Sequence, residues 1–152
     1  MGIEKYESEV KYIGSQQEHV YNHLSNLKNL EPLFDPSRLS ELKKKHPETP
    51  DIKLDNFRAT ADECSFSINP VGKIGVQIIE REPSKLIKLT GNQSVPFQVN
   101  CWIQLLPVDD NTCKVKITVH ADLSPMIKML VGKHLKEGVN HIAEALSKVH
   151  YE

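Results

Sequence analysis

SPMIKMLVGKHLKEGVNHIAEALSKV, running from Ser124 to Val149, is the stretch whose reading decides the fold. Ser124 is suited to cap a helix, and Pro125 fits the first helical position, where its missing N–H costs nothing. Ile127, Leu130, Val131, Leu135, Val139, Ile142, Leu146 and Val149 then recur mostly at spacings of three and four. Such spacing traces one apolar stripe along a helix of roughly six turns. A stripe that long needs an equally long apolar surface to cover it. Upstream, the runs at roughly 52–59, 63–69, 73–81, 85–91, 96–106 and 112–121 have strand character. Turn residues such as Asn69-Pro70, Glu82-Pro83-Ser84 and Asp109-Asp110-Asn111 separate them. In the last two, Phe97, Val99, Cys101, Ile103 and Leu105 alternate onto one face, as do Cys113, Val115, Ile117, Val119 and Ala121.

The beginning of the chain supplies one more strand. Tyr6, Ser8, Val10 and Tyr12 alternate with Glu7, Glu9 and Lys11 until Gly14 breaks the pattern. Ser15-Gln16-Gln17-Glu18 then reads as a capping box. A short helix with Val20, Leu24 and Leu27 inward follows, broken near residues 26–29 ahead of Pro32. Residues 35–51, with Pro36, Pro47 and Pro50, read as a long polar connection around a brief helix. Order and period together predict a single α+β domain over residues 1–152. It has about seven antiparallel strands in a curved sheet around a long C-terminal helix, and a short broken helix after strand one.

With 152 residues the chain is long enough to bury a core without staples. Nineteen Lys and Arg against 20 Asp and Glu give a formal charge of −1, so no net field attracts nucleic acid. Cys64, Cys101 and Cys113 are odd in number and lack CxxC spacing, which points to a reducing compartment. The start has no apolar signal core, and no stretch approaches the ~18 apolar residues that span a bilayer. A cytoplasmic protein without stable membrane insertion is expected.

The residues Ser15 to Leu27, Val71-Gly72-Lys73-Ile74, Glu80-Arg81-Glu82-Pro83-Ser84-Lys85, Pro96-Phe97, Trp102-Ile103-Gln104-Leu105-Leu106-Pro107 and the closing helix resemble the helix-grip superfamily. This SRPBCC superfamily includes START lipid-transfer domains, the birch-pollen allergen, polyketide cyclases and the Hsp90-activator domain. The pattern is most similar to a small bacterial branch of unassigned function, and covers nearly the whole chain. The resemblance implies a cavity between helix and sheet that holds a hydrophobic ligand. Motifs built of turns, caps and core positions carry fold and not chemistry.

Alternation places Phe66, Ile68, Val76, Ile78, Phe97, Val99, Cys101, Ile103, Val115, Ile117 and Val119 toward that space, opposed by Leu130, Val131, His134, Leu135 and Gly138. A packed core would use the same aliphatic positions. Gly132 and Gly138, each costing about 0.8–1.0 kcal/mol against alanine inside a helix, favour a cavity. His134 is the best candidate for a polar group there, with His120 and His141 as further acid–base candidates. None has a nucleophile and orienter in view, so no catalytic residue is assigned. His19 and His23, four apart, have the spacing of a zinc pair but no third ligand; neither a metal nor a cofactor is expected. Glu80 and Glu82 read as a solvated edge held by Arg81 and Lys85, and Lys43-Lys44-Lys45 as a solvated loop. Trp102 falls on the opposite sheet face, exposed, covered by lysine stems such as Lys116, or used in a weak homodimer or partner contact.

Three functions fit these features. The first is a binding or carrier domain for a lipid or polyketide-like molecule. The second is a cyclase- or aromatase-like enzyme using His134 or His120. The third is an interaction module resembling the Hsp90 activator, working through the face around Trp102.

Overall fold

The computed structural model describes residues 3–32, 34, 40–41, 44–45, 47, 55–68, 72–93, 95, 97–149 and 151, and only the backbone of Asp55, Ile68, Val131, Lys133 and His134. Most of the connection expected at 35–51, including Lys43, lies outside them. Eight strands form one curved antiparallel sheet: β1 (Ile3–Glu7), β2 (Lys11–Ile13), β3 (Asp55–Ala59), β4 (Glu63–Ile68), β5 (Gly72–Glu82), β6 (Leu86–Gly91), β7 (Val99–Asp109) and β8 (Thr112–Asp122). Helix α1 (Gln17–Leu24) and a 3₁₀ turn (Leu27–Leu30) follow β2, and α2 (Pro125–Ser147) closes the chain. The strand order is β1-β8-β7-β6-β5-β4-β3, with β2 also on β8. Consecutive strands from β3 to β8 are therefore neighbours, as their short connections require.

Eight strands replace the expected seven because the first run is broken by a bulge. Glu7 pairs with Thr118 and Lys11 with Val115, so Ser8, Glu9 and Val10 face only Ile117 and Lys116. Ser8 stabilises the break: its amide donates to the Ile117 carbonyl at 2.8 Å, and its Oγ accepts from the Ile117 amide at 2.9 Å. One extra residue exchanges the faces of the strand. Tyr6 and Ser8 are buried as alternation predicts, but Val10 and Tyr12 are exposed and Ile13 takes the buried place.

The capping box is not formed. Helix α1 starts with Gln16 as N-cap and no side-chain cap. The first turn is tied to the sheet instead, because Gln17 Nε2 donates to the carbonyls of Ser84 at 2.5 Å and Leu105 at 3.3 Å. The cap of α2 is as expected, with Ser124 Oγ accepting from the Ile127 amide at 3.3 Å and Pro125 next.

The antiparallel order gives the sheet two distinct ends. At one lie the ends of β3, β5 and β7 and the starts of β4, β6 and β8, together with α1 and the 3₁₀ turn. At the other lie the β6–β7 connection and the first turn of α2. Helix α2 runs back from the second end to the first over β8, β1 and β2. Lys128 Nζ meets Glu4 at 2.8 Å at its beginning, and Glu144 meets Lys11 at 2.7 Å near its end.

Candidate ligand site between helix and sheet

Burial separates the inner face of the sheet into two halves. Toward the end closed by α1, Ile87, Ile103, Leu105, Cys113, Val115 and Ile117 are buried together with Val20, Leu24, Leu27, Val139, Ala143 and Leu146. Toward the other end the inward residues Phe66, Val76, Phe97, Val99, Cys101 and Val119 are half-buried, as is Ile127 on the helix, while their cross-strand partners Ile74, Leu89 and Ala121 are buried. Of the residues expected to face a ligand, Ile103, Val115 and Ile117 thus belong to the filled half. Phe66, Val76, Ile78, Phe97, Val99, Cys101 and Val119 share the open half. The side chains of Ile68, Val131 and His134 lie outside the described residues.

The helix shows the same division along its length. Asn140 Oδ1 accepts from the Glu9 amide at 2.7 Å and Glu144 holds Lys11, which turns one flank to the β1–β2 edge. Val139, Ala143 and Leu146 sit on the sheet. Ile127, Gly138 and Ala145 occupy the flank opposite Asn140, since spacings of eleven and seven residues return to within about 20° of one direction. Ala145 is fully buried there. Two turns earlier no described neighbour lies within 4 Å of where a Gly138 Cβ would stand. Leu130 departs from expectation: it is 51% exposed, because it falls on the outward side once Asn140 and Val139 set the helix rotation. Met126 and Met129 are also exposed beside it.

An open depression of about 550 Å³ lies at the rim of the open half, lined by Thr90, Gly91, Asn92, Val95, Phe97, Gln98, Val99 and Asn100. Gly91 is required here, since a Cβ would stand 2.6 Å from the Val99 side chain. A second depression, of about 230 Å³, lies at Asn56, Arg58, Phe66 and Lys73. Deeper in, the groups are neutral: burial pushes the thiols of Cys64 and Cys101 up to about 12, so both remain protonated.

His120, His23 and His19 do not converge on this space. His120 lies on the outer face, edge-on to Trp102 with ring centroids 4.6 Å apart, because even-numbered residues of β8 point away from the helix. His23 packs edge-on against Tyr151 at 5.1 Å, and burial holds its pKa below the ordinary value. His19 is exposed, and the described residues include no group of three or more His, Cys, Asp or Glu arranged to hold a metal ion. Trp102 is half-buried under Lys88, whose Nζ is 5.2 Å from the ring, and not under Lys116, which pairs with Glu7 at 2.6 Å. Arg81 leaves the Glu80–Glu82 edge to bond Asp62 and the Ser25 carbonyl.

Two contributors were missed by pattern reading. The β6–β7 connection, which forms the rim, has no period to reveal which side it faces. Tyr6 looked like one member of a half-solvated strand, yet it is 9% exposed beneath α2.

No family model matches the sequence, and no curated protein matches it. Solved structures of the same fold do. Norcoclaurine synthase from Thalictrum flavum superposes with a TM-score of 0.64 at 13% identity, over 97% of this chain and 86% of that one. A protein from Thermus thermophilus gives 0.62 at 15% identity over 95% of each chain. A START superfamily protein from Mycobacterium smegmatis gives 0.54 at 13% identity, over 95% of this chain and 94% of that one. The chain therefore has the SRPBCC-like helix-grip fold. At these identities the likeness shows the fold alone.

Proposed function

We propose that the chain is a single-domain binding protein for a hydrophobic small molecule, lipid-like or polyketide-like, held between the first half of α2 and the open half of the sheet. The observation that carries the reading is the contrast along one helix flank: Ala145 is fully buried, whereas Gly138 has no described neighbour within 4 Å of its Cβ position. Half-buried Phe66, Val76, Val99, Cys101 and Val119 would gain about 25 cal/mol for each Å² of apolar surface that a ligand covers. A norcoclaurine synthase structure of the same fold is a complex with dopamine and hydroxybenzaldehyde, which supports a fold able to hold small aromatic molecules. The three free cysteines suit a reducing compartment such as the cytoplasm.

Titration with the neutral fluorophore N-phenyl-1-naphthylamine tests this reading. Wild-type protein should show one saturable site. Gly138→Leu should weaken it at least ~tenfold while the Tm holds or rises, because removing a helical glycine contributes about 0.8–1.0 kcal/mol. Non-saturable binding, or binding indifferent to the leucine, rules the site out.

A further inference from the structure

We infer that Tyr6 is the polar anchor of this site, and that the molecule it receives is uncharged and apolar apart from a hydrogen-bond acceptor such as a carbonyl oxygen. The inference rests on the binding reading above and adds the class of ligand. Tyr6 stands in a cross-strand row on the inner face, Tyr6–Val119–Cys101–Leu89–Ile78, fixed by the registers of β1, β8, β7, β6 and β5. Val119 and Cys101, its two neighbours in that row, belong to the half-buried set. The phenol rises from β1 to α2, where its Oη is 3.4 Å from the position a Gly132 Cβ would take. At that distance the hydroxyl lies against the first half of α2.

The ring is buried, and Oη is sealed from solvent without a hydrogen-bond partner among the described residues. A buried hydroxyl in that state is costly, and structures rarely keep one without a reason. Its surroundings select the partner. Burial, reinforced by the nearby Glu4 carboxylate, raises the phenol's pKa, so the group stays protonated and able to donate. The neighbouring Lys128 ammonium is engaged by Glu4 at 2.8 Å, and the thiols of Cys64 and Cys101 are neutral. A charged ligand would lose its hydration here with no described counter-ion set aside for it. A pure hydrocarbon would leave the hydroxyl unpaired. A ketone, aldehyde or ester oxygen accepts the bond and brings no charge.

Two ligands of nearly equal shape isolate the effect: 2-acetylnaphthalene, which carries a carbonyl, and 2-ethylnaphthalene, which does not. Both are titrated by displacement of N-phenyl-1-naphthylamine from wild-type protein and from Tyr6→Phe. The ratio of acetyl to ethyl affinity should fall about tenfold in the variant, equivalent to ~1.4 kcal/mol. The Tm should not fall, because the lost hydroxyl has no described partner. An unchanged ratio, with both ligands still bound, overturns the anchor and leaves the pocket standing. If neither ligand displaces the fluorophore from wild-type protein, the pocket fails and the anchor with it.

Discussion

Ser8 shows how much one small side chain can decide. Its hydroxyl accepts from the Ile117 amide and donates to the Glu9 carbonyl at 2.9 Å, so the bulge keeps its buried polar groups paired. Ser8→Ala should cost about 1–3 kcal/mol, because the Ile117 amide is then buried without a partner. Urea unfolding measures this directly, and a change within ~0.5 kcal/mol would mean the bulge does not depend on the hydroxyl. Tyr6, two residues earlier, lies before the bulge in regular register with Val119 and keeps its inward side. The strand supplies Tyr6 to the inner face and exposes Tyr12, although both fall on the same side of a simple alternation.

At the scale of the element, α2 carries two jobs along one length. Its second half anchors the fold: Leu146 is 2% exposed, and Leu146→Ala should destabilise by roughly 2–5 kcal/mol. Leu130, on the same sequence stripe, is 51% exposed, so Leu130→Ala should stay within about 0.5 kcal/mol of wild type. Paired denaturant curves decide the matter, and equal losses would contradict the division. Glu144 adds a pH-dependent term. Lys11, through a hydrogen bond at 2.7 Å, and Lys148 at 3.1 Å hold its carboxyl below the ordinary range. A carboxylate whose pKa is lowered on folding contributes stability above its unfolded value, ~4.3, and loses it as pH falls through the folded value. The gap in urea midpoint between wild type and Glu144→Gln should therefore be present at pH 7 and shrink below about pH 4. A gap that widens on acidification would reverse the assignment.

At the scale of the whole molecule, the described inner-face residues are more completely buried toward the α1 end of the sheet than toward the other. That polarity follows from topology. Helix α1 and the 3₁₀ turn both sit where β4, β6 and β8 begin, while α2, among the described helices, meets the opposite end. The sequence by itself determined the α+β class, the order of the elements, the caps at Ser124-Pro125 and the inward face of β7 and β8. Each of these depends on residues close together in the chain, where period and turn chemistry act locally. Only the tertiary structure decided the bulge at Ser8, the loss of the capping box to Gln17 contacts with Ser84 and Leu105, and the placing of His120 on the outer face against Trp102. It also decided which half of one continuous apolar stripe is core and which half is less completely buried among the described residues. Alternation names the residues that point inward, from Phe66 to Val119, but an aliphatic side chain looks the same in sequence whether it meets a neighbour or a gap. That difference is set by what packs across from it, through contacts between residues far apart in the chain.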